Sequence, residues 1–181
     1  MSAQGDVSDE AEIVAMFDAT KQAFGKLDGV VNNAGIVAPG SSLADMDIAR
    51  MKRVFDVNVL GAYLCAREAA RRMSTSHGGK GGSLVNISAA ARLGGLGEYV
   101  DYAESKGAID TLTIVLAKEL GRNGVRVNAI RPGLIETDIH ASGGKLDRAQ
   151  VMGLTTPVGR PATADGSVSR SCGCCRMRRR M

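Results

Sequence analysis

The sequence predicts an α/β domain built on a doubly wound parallel sheet with helices on both faces. Three short apolar stretches of strand length, Leu27 to Val31, Ser83 to Ser88 (SLVNIS) and Val125 to Ile130, carry the prediction. Longer segments of helical periodicity separate them, and strands alternating with helices imply right-handed crossovers between parallel neighbours. A chain of 181 residues, 44% of them apolar, can bury one ordinary core.

The first helix is expected to start at Ser8, followed by Asp9 and Glu10, because a hydroxyl can cap free N–H groups and acids favour the positive end of a helix dipole. Ile13, Met16, Phe17, Ala23 and Phe24 then share one face until Gly25 ends the run. The Leu27 to Val31 strand breaks into a tight loop at Asn32-Asn33-Ala34-Gly35. One long helix is expected from about Asp47 to Arg72, and another from about Tyr99 to Leu120. The glycines from Gly78 to Gly82 precede a strand, whereas phosphate-cradling loops follow one, so they read as a connection.

The formal charge of +4 suggests an anionic partner only until the arginines are located. Arg170, Arg176, Arg178, Arg179 and Arg180 fall in the last twelve positions, which hold no acid, so the body is nearly neutral. Cys172, Cys174 and Cys175 crowd into the same tail and leave Cys65 alone in the body, which excludes a disulfide framework and offers no four-ligand metal site. Six aromatics and no Trp provide little for stacking on single-stranded nucleic acid. No secretory signal and no bilayer-length apolar run is present, so a soluble, cytoplasmic setting is expected, with neither nucleic acid nor membrane as a partner.

Tyr102 and Lys106 stand four residues apart on an expected helix, which places both side chains on one face. A free phenol has a pKa of ~10 and is a poor acid or base near neutrality, but a nearby ammonium favours its anion and can tune it for proton transfer. Ala103-Glu104-Ser105-Lys106-Gly107 imitates a hydrolase nucleophile elbow, yet lacks the strand and sharp turn that such a serine needs. His77 and His140 read as solvated loop residues.

Around the Tyr102 and Lys106 pair stand NNAG at Asn32 to Gly35, Asn58 within VFDVNVLGAY, Ser88 within VNIS, and RPG at Arg131 to Gly133 with Thr137 beyond. In this order the motifs resemble those of the short-chain dehydrogenase/reductase family, and the stretch from Gly97 to Gly144 is most similar to its glucose 1-dehydrogenase-like and 3-oxoacyl-acyl-carrier-protein reductase-like members. The resemblance implies an oxidoreductase that uses NAD or NADP on an alcohol or carbonyl of sugar or acyl type. It implies Tyr102 as the acid–base group, Lys106 as the residue lowering its pKa and holding the nicotinamide ribose, Ser88 as the donor to the substrate oxygen, and Asn58 as the anchor of a relay water. It further implies that Asp6 and Val7 contact the adenine, that Asn32, Ala34 and Gly35 form the backbone turn beside the adenosine ribose, and that Pro132, Gly133, Ile135 and Thr137 form the nicotinamide rest. Ser88 lies one position further from Tyr102 than the family serine usually does, and the usual spacing falls on Ala89.

Members of this family open with two strands and a glycine-rich phosphate turn that have no counterpart ahead of Gly5-Asp6-Val7, and they close with a further strand. The expected fold is therefore a partial Rossmann-like sheet whose first strand exposes an apolar edge. A non-catalytic remnant that lacks the cofactor phosphate site, and associates with intact relatives, is the alternative expectation. The domain is placed at residues 1–160. Residues 161–181 read as a disordered basic tail, because shifting the codons from Cys172 onward by one nucleotide permits the family-like ending LWLLSDAASY. The helices near 47–72 and 99–120 form the homo-oligomer contact in the family and are expected to do so here.

Overall fold

The computed structural model describes residues 2–93, 97–145 and 147–175. Helix α1 (Glu10–Phe24) leads to strand β1 (Gly29–Asn32). Helix α2 (Ile48–Phe55) passes through a π-helical turn (Asp56–Leu60) into α3 (Gly61–Met73) and then strand β2 (Gly82–Ile87). Helix α4 (Val100–Leu120) precedes β3 (Val125–Ile130), and α5 (Ile139–Ser142), α6 (Arg148–Gly153) and α7 (Ala164–Cys175) follow.

The three strands pair in parallel in the order β1-β2-β3, with Val31 opposite Val85 and Val85 opposite Asn128. Helices α1, α3 and α4 cover one face, where Ile13, Phe17, Ala69, Met73, Leu84, Leu112 and Val127 form the core. Helix α7 lies across the opposite face over β2. This double cover explains why β2 is buried along nearly its whole length and why its apolar residues do not simply alternate with exposed ones. Strand β1 has β2 on one side only, and Val31 on it is 47% exposed. The parallel sheet, its covering helices and the open β1 edge agree with the expected class.

Two local expectations change. The N-cap of α1 is Asp9, which accepts from the N–H groups of Ala11 and Glu12, while the Ser8 hydroxyl donates to Asp6 at 2.7 Å. Gly25 does end the helix, with a left-handed φ of 75° that a side chain would resist. The single helix expected over 47–72 is interrupted by the π-helical turn, because one inserted residue rotates Asn58 inward onto a loop that needs its amide. Beyond residue 160, Ala162 pairs with Ile135 and exchanges backbone hydrogen bonds with Leu134 and Glu136. Helix α7 then packs on the sheet. Residues 176–181 lie outside the described residues.

Candidate active site

The site forms where the carboxyl ends of β1, β2 and β3 meet the first two turns of α4. Asn58 reaches across from the π-helical turn to clamp the loop after β1. Its Oδ1 accepts from the Ile36 N–H at 2.7 Å, and its Nδ2 donates to the Ile36 carbonyl at 2.9 Å and to the Ser105 hydroxyl at 3.0 Å. Ser105 in turn donates to the Tyr102 carbonyl at 2.7 Å. Its hydroxyl is spent inside α4, as the missing nucleophile elbow implied. π-Helical insertions of this kind recur where a side chain must be turned out of regular helical register.

Lys106 is 5% exposed, and its ammonium donates to the Ile87 carbonyl at 2.9 Å. Burial lowers its pKa to about 8. Its Nζ lies 5.8 Å from the centre of the Tyr102 ring, so the helical spacing does bring the two together. Tyr102 is half-buried, and burial raises its phenol above the ordinary value while the Arg148 charge pulls the other way. The expected depression by Lys106 is thus not the dominant effect here, because that ammonium is turned onto a backbone carbonyl.

Ser88 is 2% exposed and donates to the Lys106 carbonyl at 3.0 Å. Its hydroxyl therefore faces α4, and the wall beside Tyr102 is made by Ala89, Ala90 and Ala91. One residue of register along an extended chain reverses the side a residue faces, which is why the spacing mattered. The structure brings Asn58 and Lys106 together at Gly35, where a Cβ would lie 3.3 Å from both Asn58 Oδ1 and Lys106 Nζ. It does not bring Ser88 into the same space as the Tyr102 ring.

Two cavities flank this centre. One, of about 320 Å³, is bounded by Tyr102, Ala89, Pro132 and Gly133 and closed by α5 and α6 through His140, Arg148 and Met152. The other, of about 730 Å³, is lined by Asp6, Val7, Ala34, Gly35 and Arg53. Asp6 accepts from Ser8 and from Arg53 at 3.2 Å, and these contacts hold its carboxyl below the usual range. Asn32 stays out of the cavity, because its amide donates to the Ala62 carbonyl and to Asn86 within the core. Ile135 is held by its bridge to Ala162, and Thr137 is exposed. His140 corrects the solvated-loop reading: it is half-buried on α5, with Nε2 2.8 Å from the Ile135 carbonyl. His140 and Arg148 acquire a place in the site only through the folding of the 131–156 segment, and no local sequence pattern marks them, whereas Ala89 was marked by its spacing to Tyr102.

The description "Enoyl-(Acyl carrier protein) reductase" matches residues 1–169. The uncharacterized oxidoreductase YgfF of Escherichia coli is 48% identical over 163 residues, which are 90% of this chain and 66% of that protein. The chain belongs to the short-chain dehydrogenase/reductase family. Among further family members, the NADPH-dependent aldehyde reductase-like protein of Arabidopsis thaliana chloroplasts is 34% identical over 163 residues, covering 89% of this chain and 59% of that one. The crystal structure of 3-ketoacyl-(acyl-carrier-protein) reductase from Brucella melitensis, complexed with NADH, superposes with a TM-score of 0.87 at 26% identity. It covers 95% of this chain and 69% of that one. The chain thus spans roughly six tenths of the length of these two curated short-chain dehydrogenase/reductase relatives. Among the described residues, no helix is long and apolar enough to cross a membrane, and no cluster of His, Cys, Asp or Glu is arranged to hold a metal ion.

Proposed function

We propose that this chain carries the substrate-side chemistry of an NAD(P)-dependent oxidoreductase that interconverts an alcohol and a carbonyl. The observation that supports it is the Tyr102 phenol on the wall of one cavity with Lys106 directly behind it and Gly35 of the second cavity beside Lys106. In this reading Tyr102 gives its proton to the carbonyl oxygen during reduction and takes one from the alcohol during oxidation. Lys106 keeps a positive charge beside the phenol at neutral pH, and Asn58 positions Lys106 by holding the Ile36 loop and Ser105.

The residues present fit the adenosine and nicotinamide ends of a dinucleotide. Asp6, Val7, Ala34 and Gly35 line a cavity that would take the adenosine half, with Asn32 contributing backbone alone. Gly35 leaves an open floor where any side chain would press on Asn58 and Lys106. Pro132, Gly133, Ile135 and Thr137 would border the nicotinamide half. When bound, NAD or NADP supplies or accepts the hydride, and the chain supplies position and charge. Ser88 acts in this reading by fixing the Lys106 turn of α4, and Ala89 leaves the substrate oxygen to Tyr102.

Val37, Leu134, Ile139 and Met152 make the walls of the substrate cavity apolar, which favours an acyl or hydrocarbon frame over a sugar. Self-association through α3 and α4 is supported by the exposed Leu60, Tyr63, Ile114 and Val115. The near absence of body cysteines suits a reducing, cytoplasmic setting. Fluorescence titration of the purified chain with NADH and NADPH, followed by ketone reduction read from nicotinamide absorbance, tests the reading. Dinucleotide binding with Tyr102-dependent turnover is expected. Failure to bind either dinucleotide would overturn it in favour of a non-catalytic remnant.

A further inference from the structure

Among the described residues, Arg148 is the one side chain on the wall of the Tyr102 cavity that carries a permanent charge, and no Asp or Glu lines that wall. It stands on α6, half-buried, with its guanidinium carbon 4.3 Å from the centre of the Tyr99 ring. Tyr99 is almost fully buried, and its hydroxyl donates to the Gly143 carbonyl at 3.3 Å, so the ring ties the segment before α6 to the start of α4. Stacking on that ring fixes the plane of the guanidinium and leaves its N–H edge to other partners.

The Nε of Arg148 is buried and has no hydrogen-bond partner among the described residues. Two cations outside that wall are committed elsewhere, Arg50 to Asp101 and Lys145 towards Glu98. A cation held at a largely apolar wall is costly to leave without an opposite charge. The cavity that Arg148 lines has Tyr102, His140 and Thr156 as its other polar side chains and is of a size for a small organic molecule.

We propose that Arg148 is a specificity-determining residue that selects substrates bearing a carboxylate a short distance from the reacting carbonyl or alcohol. The inference rests on the oxidoreductase reading for the identity of the reacting group, but the anion preference itself is a ground-state binding property. A carboxylate can take two parallel N–H donors from a guanidinium, which gives direction as well as attraction. Its charge acts on Tyr102 too, since Arg148 already draws the phenol towards its anion.

The test compares 4-oxopentanoate with its uncharged isostere 4-oxopentanamide, using ligand-observed NMR and calorimetry on the full chain. The wild-type chain is expected to bind the carboxylate at least about tenfold more tightly, a difference of about 1.4 kcal/mol. Arg148→Gln should bring the ratio to about one while leaving amide binding unchanged, and Arg148→Lys should retain part of the preference. If Arg148→Gln unfolds, raising the salt concentration on the wild-type chain gives a second readout: the carboxylate should weaken and the amide should not. An equal affinity for the two probes, a ratio that survives Arg148→Gln, or no binding of either probe would overturn the proposal. Tyr102→Phe should keep the carboxylate preference, so a chain that selects the anion without turning it over separates failure of the oxidoreductase reading from failure of this one.

Discussion

The two sides of α4 are built by different means. On its inner side a closed polar lattice links Asn58, Ser105, Lys106, Ser88 and the carbonyls of Ile36, Ile87 and Lys106, all within hydrogen-bond distance and all on or against regular elements. On its outer side the cavity wall comes from the 131–156 segment, whose helices α5 and α6 are only one or two turns long. The comparison teaches where stability and selectivity reside. Substitutions in the lattice should register as unfolding energy, and substitutions in the wall as changes in binding or turnover.

The largest effect is expected on the wall side, at the reacting proton. Tyr102→Phe should lower turnover by about 10³-fold, within the usual range for removing an acid–base group, and should leave the melting temperature nearly unchanged. A comparable loss of thermal stability would break the division between the two sides.

Next in size is the buried ammonium. The folded-state pKa of Lys106 is about 8, below the ordinary 10.5, so the unfolded chain binds more protons between these values. Stability contributed through this group is therefore lowest below pH 8 and rises as the pH approaches 10.5. The shift corresponds to roughly 3 kcal/mol. Lys106→Met should gain relative to the wild-type chain near pH 7, and denaturant titrations should show that gain shrinking towards pH 10.5. A gap independent of pH would mean that Lys106 is better solvated than its position indicates.

Asn58→Ala removes three hydrogen bonds and strands the Ile36 N–H and carbonyl. A loss of about 2 kcal/mol is expected, a drop of several degrees in melting temperature. The smallest effect should come from Ala89→Ser, which places a hydroxyl on the cavity wall beside Tyr102. If that position serves the substrate oxygen, turnover should rise by about tenfold with little change in stability. Unaltered kinetics would show that the wall at Ala89 lies out of reach of the reacting oxygen.

Much of the lattice was legible in the sequence because its parts are local. Tyr102 and Lys106 are one helical turn apart, Gly25 ends a helix by its backbone freedom, and three strand-length apolar stretches alternate with helices. The π-helical turn was not legible, since a one-residue insertion leaves the apolar period of 47–72 nearly intact while rotating Asn58 towards Ile36. The motif at Asn32 points to its backbone, and it did not show that the side-chain amide joins a buried ladder through Asn86 to Thr113. Ser88 differs from Ala89 by a single position, and the direction each faces depends on how β2 leaves the sheet.

What the sequence determined by itself was the class of fold, the order of its elements and the juxtaposition of Tyr102 and Lys106, because periodicity and i, i+4 spacing act over one or two turns of chain. Which residues enclose the reacting group was decided only by tertiary structure. Arg148 is 46 positions from Tyr102 and His140 is 38, and they face the same cavity because Tyr99 and the Ile135 to Ala162 bridge fold the segment back onto α4. Contacts at that separation depend on closing a long loop, and no periodic pattern in the chain records where such a loop will come to rest.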